Sequence, residues 1–170
     1  MSFSDAVRTC FSKYVTFSGR ATRPEYWWFV LFNLLGSFAA SILDRFLFGS
    51  GQDIVVQTGF EAGAQAGPLA GLFSLVMFVP LLAAGWRRMH DTGRSGLFLL
   101  YPLIVMTGVG IAGALLIGPD GTFASGLGGV IMWIGIFVLA ISPLLVLWWL
   151  TRPTQPGDNE YGPNPTEAHS

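Results

Sequence analysis

The chain has 170 residues, the length of one domain, yet 52% of them are hydrophobic, only 11% are charged, and mean hydropathy is +0.56. A soluble domain carries roughly a quarter of its residues as charges, so this composition excludes a fully water-exposed globule and requires lipid over part of the surface. The net charge of −1 says little as a total; its distribution along the chain carries the information, and nothing in it supports nucleic-acid binding.

Residues 1–20 read as an amphipathic helix. Phe3, Val7, Cys10, Phe11 and Tyr14 recur at spacings of three and four, while Asp5, Arg8, Thr9, Ser12 and Lys13 face elsewhere. Ser2 with Asp5 forms a capping signal at its start. Such a helix is expected to lie in the membrane interface, with burial of the stripe against the rest of the protein as the alternative. Cys10 has no second cysteine to pair with and no activating base evident nearby. The first 25 residues show neither an uninterrupted apolar region nor a small-residue cleavage site, so the first apolar run is expected to stay in the mature protein.

Thr22-Arg23-Pro24-Glu25 is a helix start: Thr22 can cap, Glu25 can reach back, and Pro24 suits the first turn. Four apolar runs follow, at residues 26–48, 68–86, 97–117 and 127–150. Each is near the ~20 residues that cross a hydrocarbon core as a helix. None alternates as a transmembrane β-strand would. The fold class is therefore an all-α integral membrane protein with four transmembrane helices and one interfacial helix. Asn33, Gly36, Ser74, Gly110, Ala114 and Gly135 suit close helix packing. Pro80, Pro102 and Pro143 fall inside spans and are candidates for kinks. The connection at 49–67 is rich in Gly, Gln and Ala and reads as a mobile loop, and the tail at 153–170 reads as irregular and turn-rich.

Orientation follows from the basic residues. Arg8, Lys13, Arg20 and Arg23, then Arg87, Arg88 and Arg94, then Arg152 all fall on one side of this bundle. The connections at 49–67 and around Asp120 carry none. The positive-inside rule makes the basic side cytoplasmic and places both termini there. Trp27, Trp28, Trp86, Trp148 and Trp149 gather at the same ends, as headgroup-level indoles do; Trp133 does not. Arg45 is the exception among the bases. It reads as a snorkelling side chain at the outer end of the first span, with a functional Asp44–Arg45 pair as the alternative.

The densest polar patch is Arg87-Arg88-Met89-His90-Asp91-Thr92-Gly93-Arg94-Ser95-Gly96. Its guanidiniums, with Gly93 and Gly96 allowing close backbone approach, could hold a phosphate or lipid headgroup, and Arg20 and Arg23 could add to that site. His90 beside Asp91 could act as an oriented base. The competing explanation is that a short basic loop simply fixes insertion. No catalytic residue is assigned and no cofactor is expected. With His90 and His169 the sole histidines and no paired cysteines, no metal site is expected either.

Three stretches carry a resemblance: Phe17 to Trp27, Arg87 to Gly96, and Pro156 to Pro165. In order and detail they resemble the motifs of a bacterial inner-membrane family, domain of unknown function 805, the YhaH-like proteins. The resemblance implies a small multi-pass protein of the bacterial inner (plasma) membrane and supplies no activity. All the motifs fall on the expected cytoplasmic face. They are therefore expected to form one docked cap, with Asp158 and Glu160 pairing to Arg87, Arg88 or Arg94, Glu25 nearby, and Tyr161 at the aromatic belt. The expected function is a non-enzymatic binding or scaffold protein that meets anionic phospholipid or another membrane protein through this cap. A small-solute transporter or channel component, or a membrane enzyme acting on a lipid-linked phosphate, are the alternatives.

Overall fold

Three helices of this chain begin where a side chain reaches the first unpaired N–H groups. The computed structural model describes residues 1–48, 67–116 and 127–167. The connections read at 49–67 and around Asp120, and His169, lie outside these residues apart from Gly67.

Helix α1 (Phe3–Ser12) opens with a complete capping box: the Ser2 hydroxyl accepts from the Asp5 N–H while the Asp5 carboxylate takes the Ser2 N–H. Those bonds to Ser2 hold the Asp5 carboxyl below its ordinary range. Helix α2 (Arg23–Phe48) has half of the expected box. The Thr22 hydroxyl accepts from the Glu25 N–H at 3.3 Å, but the Glu25 side chain turns elsewhere. Helix α3 (Pro68–Asp91) starts after Gly67, which has no capping side chain. Asp44 of α2 supplies the cap instead, accepting from the Leu69 and Ala70 N–H groups at 2.9 and 2.8 Å. Asp44 is thus spent on α3 instead of on Arg45, which is exposed. A 3-10 turn (Gly96–Leu100) leads into α4 (Tyr101–Leu116), and α5 (Leu127–Thr151) completes the bundle.

Four helical stretches are long and apolar enough to cross a membrane: Arg23–Phe48, Pro68–Asp91, Gly96–Leu116 and Gly128–Thr151. They alternate in direction, so the start of α2, the end of α3, the start of α4 and the end of α5 share one end of the bundle, and α1 lies against that end of α2. The stripe of α1 buries Ala6 and Cys10 there, with Phe11 edge-on to Phe29 and Phe32. Phe3 and Phe11 keep partly exposed edges, as an interfacial helix does.

α2 runs along α3, and α4 along α5, with α3 touching both hairpins. Some of the small residues expected at contacts sit there. A Cβ on Gly36 would stand 2.3 Å from the Phe73 ring, and one on Gly135 3.0 Å from Val109. Ser74 is buried too. Gly110 faces open space and Ala114 is exposed, so these two serve no contact here.

Each proline inside a span releases the carbonyl four residues earlier, and a bare carbonyl in lipid is expensive. All of these carbonyls find another donor. The Tyr14 hydroxyl, at the end of α1, donates to the Val76 carbonyl that Pro80 leaves free. The Ser142 hydroxyl donates to Leu139 O at 3.0 Å, replacing the N–H that Pro143 lacks. Before Pro102 the 3-10 turn lets the Tyr101 N–H reach Phe98 O. The prolines are thereby accommodated locally, one of them by a side chain more than sixty positions away.

Candidate functional site

The polar motifs meet at the shared end, and α3 is the element that gathers them. Its last turn carries Arg87, Arg88, His90 and Asp91, all buried. The helix then closes with a full Schellman motif: the Arg94 N–H bonds to Met89 O at 3.1 Å and the Gly93 N–H to His90 O at 3.0 Å. Gly93 holds φ at +72°, and a Cβ there would also strike the Gln155 side chain at 2.5 Å. Its N–H is therefore spent inside the protein and not offered to a phosphate. Gly96 is needed for proximity, since a Cβ would lie 2.1 Å from the Trp86 ring.

Asp91 is the centre of the arrangement. Its carboxylate accepts from Arg20 Nε at 3.0 Å, from Thr154 Oγ1 at 2.8 Å and from Arg88 Nη1, with neither Asp91 nor its two arginines accessible to more than a trace of solvent. Arg87 pairs with Glu25 at 3.1 Å and also donates to the carbonyls of Thr16 and Lys13 at 2.7 and 3.2 Å. These three guanidiniums face two carboxylates, leaving one positive charge to be balanced. Backbone carbonyls supply the balance. Arg88 donates to Leu150 O at 3.0 Å and to Arg152 O, the unpaired carbonyls that end α5, where the helix dipole is negative. Arg20 takes Gly157 O at 2.7 Å and Gln155 O at 2.5 Å from the tail. Buried ions persist only when paired and hydrogen-bonded; here they stitch the motifs into a clasp.

The tail docks along the same turn of α3. The Gln155 N–H reaches Asp91 O at 3.0 Å and Asn159 Nδ2 reaches His90 O at 2.9 Å. The segment before α2 does likewise, with the Ala21 N–H on Arg87 O at 3.1 Å. His90 places Nδ1 3.1 Å from Gly19 O, and Tyr161 stacks on its ring at 3.8 Å with the planes 7° apart.

The expected tail pairings differ from those found. Asp158 accepts from the Asn164 N–H at 3.3 Å. Glu160 bonds to the hydroxyl of Tyr161, holding that phenol above its ordinary pKa. Neither makes an ion pair with Arg87, Arg88 or Arg94 among the described residues. Tyr161 sits on His90 and not in the indole belt. Arg23 sends Nε to Arg152 O at 2.7 Å and remains otherwise exposed. Arg94 lies over the Trp149 ring, 5.3 Å from its centre, and Arg152 lies 4.7 Å over Trp148. The sequence-predicted residues thus divide. Arg20, Glu25, Arg87, Arg88, His90 and Asp91 are joined in the clasp, while Arg23 and Arg94 keep free donors.

Sequence reasoning missed Thr154 and Gln155, the partner that Asn159 of the third motif takes, and the carbonyls of Leu150 and Arg152. A carbonyl has no residue-type signature, so the acceptors were invisible; the closeness of Arg152 to the end of a span was the available hint. Cys10 is fully buried beside Arg87 and Glu25. Burial, followed by the Glu25 charge, pushes its thiol up to about 12, which suppresses the nucleophilic thiolate.

A cleft of about 750 Å³ opens between the polar face of α1, the segment before α2 and the tail, bordered by Asp5, Lys13, Arg23, Glu25 and Thr166. Among the described residues no group of His, Cys, Asp and Glu has the makings of a metal site.

The family model described as "Protein of unknown function (DUF805)" matches residues 14–163, a range that takes in every charged side chain of the clasp. Inner membrane protein YhaH of Escherichia coli (strain K12) is 36% identical over 95 residues, covering 56% of this chain and 69% of that protein. Inner membrane protein YhaI of the same strain is 37% identical over 87 residues, covering 51% of this chain and 61% of its own length. No solved structure matches. With four membrane-crossing helices and a family match over most of its length, the chain belongs to the DUF805 family of membrane proteins.

Proposed function

We propose that the protein is a non-enzymatic binding or scaffold protein of the bacterial inner membrane, with both termini in the cytoplasm, whose basic cap recognises anionic lipid. The observation that carries this reading is the division of labour among the arginines. Arg20, Arg87 and Arg88 end on internal carboxylates and carbonyls, so they build the cap. Arg23, Arg94 and Arg152 leave donors at its surface, where headgroups would lie. A catalytic reading would ask His90 or Asp91 to move a proton. His90 is covered by Tyr161, and Asp91 already holds two guanidiniums and a hydroxyl. Both are better suited to support than to turnover.

The orientation rests on the one-sided distribution of Lys and Arg. Labelling with a membrane-impermeant thiol reagent from outside the cell tests it: Val56→Cys should react while Arg94→Cys and Glu160→Cys stay silent, and the reverse pattern would refute it. The binding reading is tested by mass spectrometry of gently purified protein. Co-purifying phosphatidylglycerol or cardiolipin is the expected result. A bound polypeptide with no retained anionic lipid would replace the lipid reading with a protein partner.

A further inference from the structure

We propose that Arg94, Arg152 and an apolar slot beside them form a site for one anionic phospholipid, with the phosphate on the two guanidiniums and an acyl chain in the slot. This rests on the lipid-binding reading above and assigns it to one place on the molecule.

Trp148 and Trp149 are consecutive residues at the end of α5, and each lies under one arginine. Neither Arg94 nor Arg152 meets a carboxylate among the described residues, unlike the clasp arginines. Their proximity is felt: burial and then the Arg152 charge hold the Arg94 guanidinium below its ordinary pKa. Two cations fixed over consecutive indoles, with no carboxylate partner among the described residues, call for an anion. An indole face fixes each cation by cation–π attraction and leaves forked N–H donors for phosphate oxygens. Arg94 spends one donor on Thr92 O at 3.0 Å. A zwitterionic headgroup would bring an ammonium that the pair repels.

The slot lies deeper in the bundle, between α3, α4 and α5. Phe98 stands edge-on to Trp149 at 5.3 Å, and its neighbour Leu99 is part of the slot wall. The cavity, about 420 Å³, runs between α3, α4 and α5 along Phe78, Leu82, Leu103, Leu139 and Pro143. That volume falls in the range of ligand clefts, ~300–1,000 Å³. Pro143 precedes Trp149 by about 9 Å of helix rise, so the slot lies at acyl-chain depth when the arginines lie at phosphate depth. Its lining residues are almost all hydrocarbon, which suits a lipid tail and offers nothing to a soluble phosphate.

The test is a native mass spectrometry titration of the full chain in detergent with phosphatidylglycerol and, separately, phosphatidylethanolamine. Wild type should retain phosphatidylglycerol in preference. Each guanidinium near an anionic lipid contributes about a fivefold change in affinity, so Arg94→Ala with Arg152→Ala should cost about thirtyfold. Leu103→Trp, which fills the slot, should also weaken retention, whereas Arg8→Ala with Lys13→Ala, on α1, should not. The unfolding midpoint should hold, because neither arginine side chain belongs to the clasp; if the alanine pair unfolds, Arg94→Lys with Arg152→Lys, which keeps charge and loses the forks, gives the answer. Absence of any phosphatidylglycerol preference in wild type would refute the lipid-binding reading itself. A preference that survives the Arg94/Arg152 variants but is lost with Arg8 and Lys13 would leave that reading intact and refute this site. Loss with the arginines but not with Leu103→Trp would overturn the slot.

Discussion

The α2/α3 hairpin and the α4/α5 hairpin solve the same problem, burying helices in lipid, by different means. The first is joined by ions at one end and by a carboxylate cap at the other, and 39% of the most apolar stretch of α3 is buried inside the protein. Among the described residues the second shows van der Waals contact along its length, such as Gly135 against Val109, and the same share for the 3-10 turn with α4 is 6%. Side chains on α4 and α5 mostly face outward. The difference shows where specificity resides: directional polar bonds define the arrangement of α2 and α3, while α5 is tied in at its last carbonyls by Arg88 and α4 packs on α5. In lipid, apolar surface alone gives little drive for helices to associate, so the polar end determines the fold.

The strongest way to break this contrast is Asp91→Asn. It removes the charge opposite two buried guanidiniums and should cost about 3–5 kcal/mol. Thermal unfolding in detergent should fall accordingly, and the tail should become cleavable by protease. An unchanged midpoint would mean that the clasp is dispensable. Next come paired glycine substitutions. Gly36→Ala presses on the Phe73 ring and should cost roughly 1–3 kcal/mol by overpacking. Gly110→Ala, facing open space on α4, should be close to neutral or slightly stabilising.

A finer test concerns Tyr14. Tyr14→Phe leaves the Val76 carbonyl without its donor and should cost about 1–3 kcal/mol. In the Pro80→Ala background the main-chain N–H returns, so the same change should cost much less. Equal costs in both backgrounds would show that the hydroxyl does not serve the proline.

The smallest expected effect is on the alkaline side. Cys10 has its thiol pushed up to about 12 in the folded protein against an ordinary 9.0. Between those values the unfolded chain releases a proton that the folded chain keeps, so stability is full below pH 9 and declines as pH rises toward 12. Cys10→Ala should flatten that decline in a pH series of unfolding midpoints. At neutral pH the wild-type thiol should react slowly with maleimide until the protein unfolds.

Much of the architecture was legible from residue patterns. The spans agree with the apolar runs to within a few residues, because length and hydropathy are local properties. The Ser2–Asp5 box is visible as helix punctuation, whereas Gly93 reads as room for a phosphate and closes a Schellman motif instead. The sequence also brought the polar motifs to one end. It did not tell which groups pair there. Asp158 and Glu160 were natural partners for arginine by charge, yet the tail is held by Arg20 on main-chain oxygens and by Thr154 on Asp91. Asp44 pairs with Arg45 on sequence grounds alone because they are neighbours. The clue to its real role was elsewhere, in a helix start at Gly67-Pro68 that has no cap of its own.

The two carboxylates of α2 have a mechanical consequence. Glu25 grips α3 through Arg87 near its end, and Asp44 grips the first turn of the same helix. About 28 Å of helix rise separates Glu25 from Asp44, close to the thickness of the hydrocarbon layer. A one-turn slide of either helix would tear out both rivets together, so piston-like signalling between α2 and α3 is disfavoured and the pair should move as a single strut.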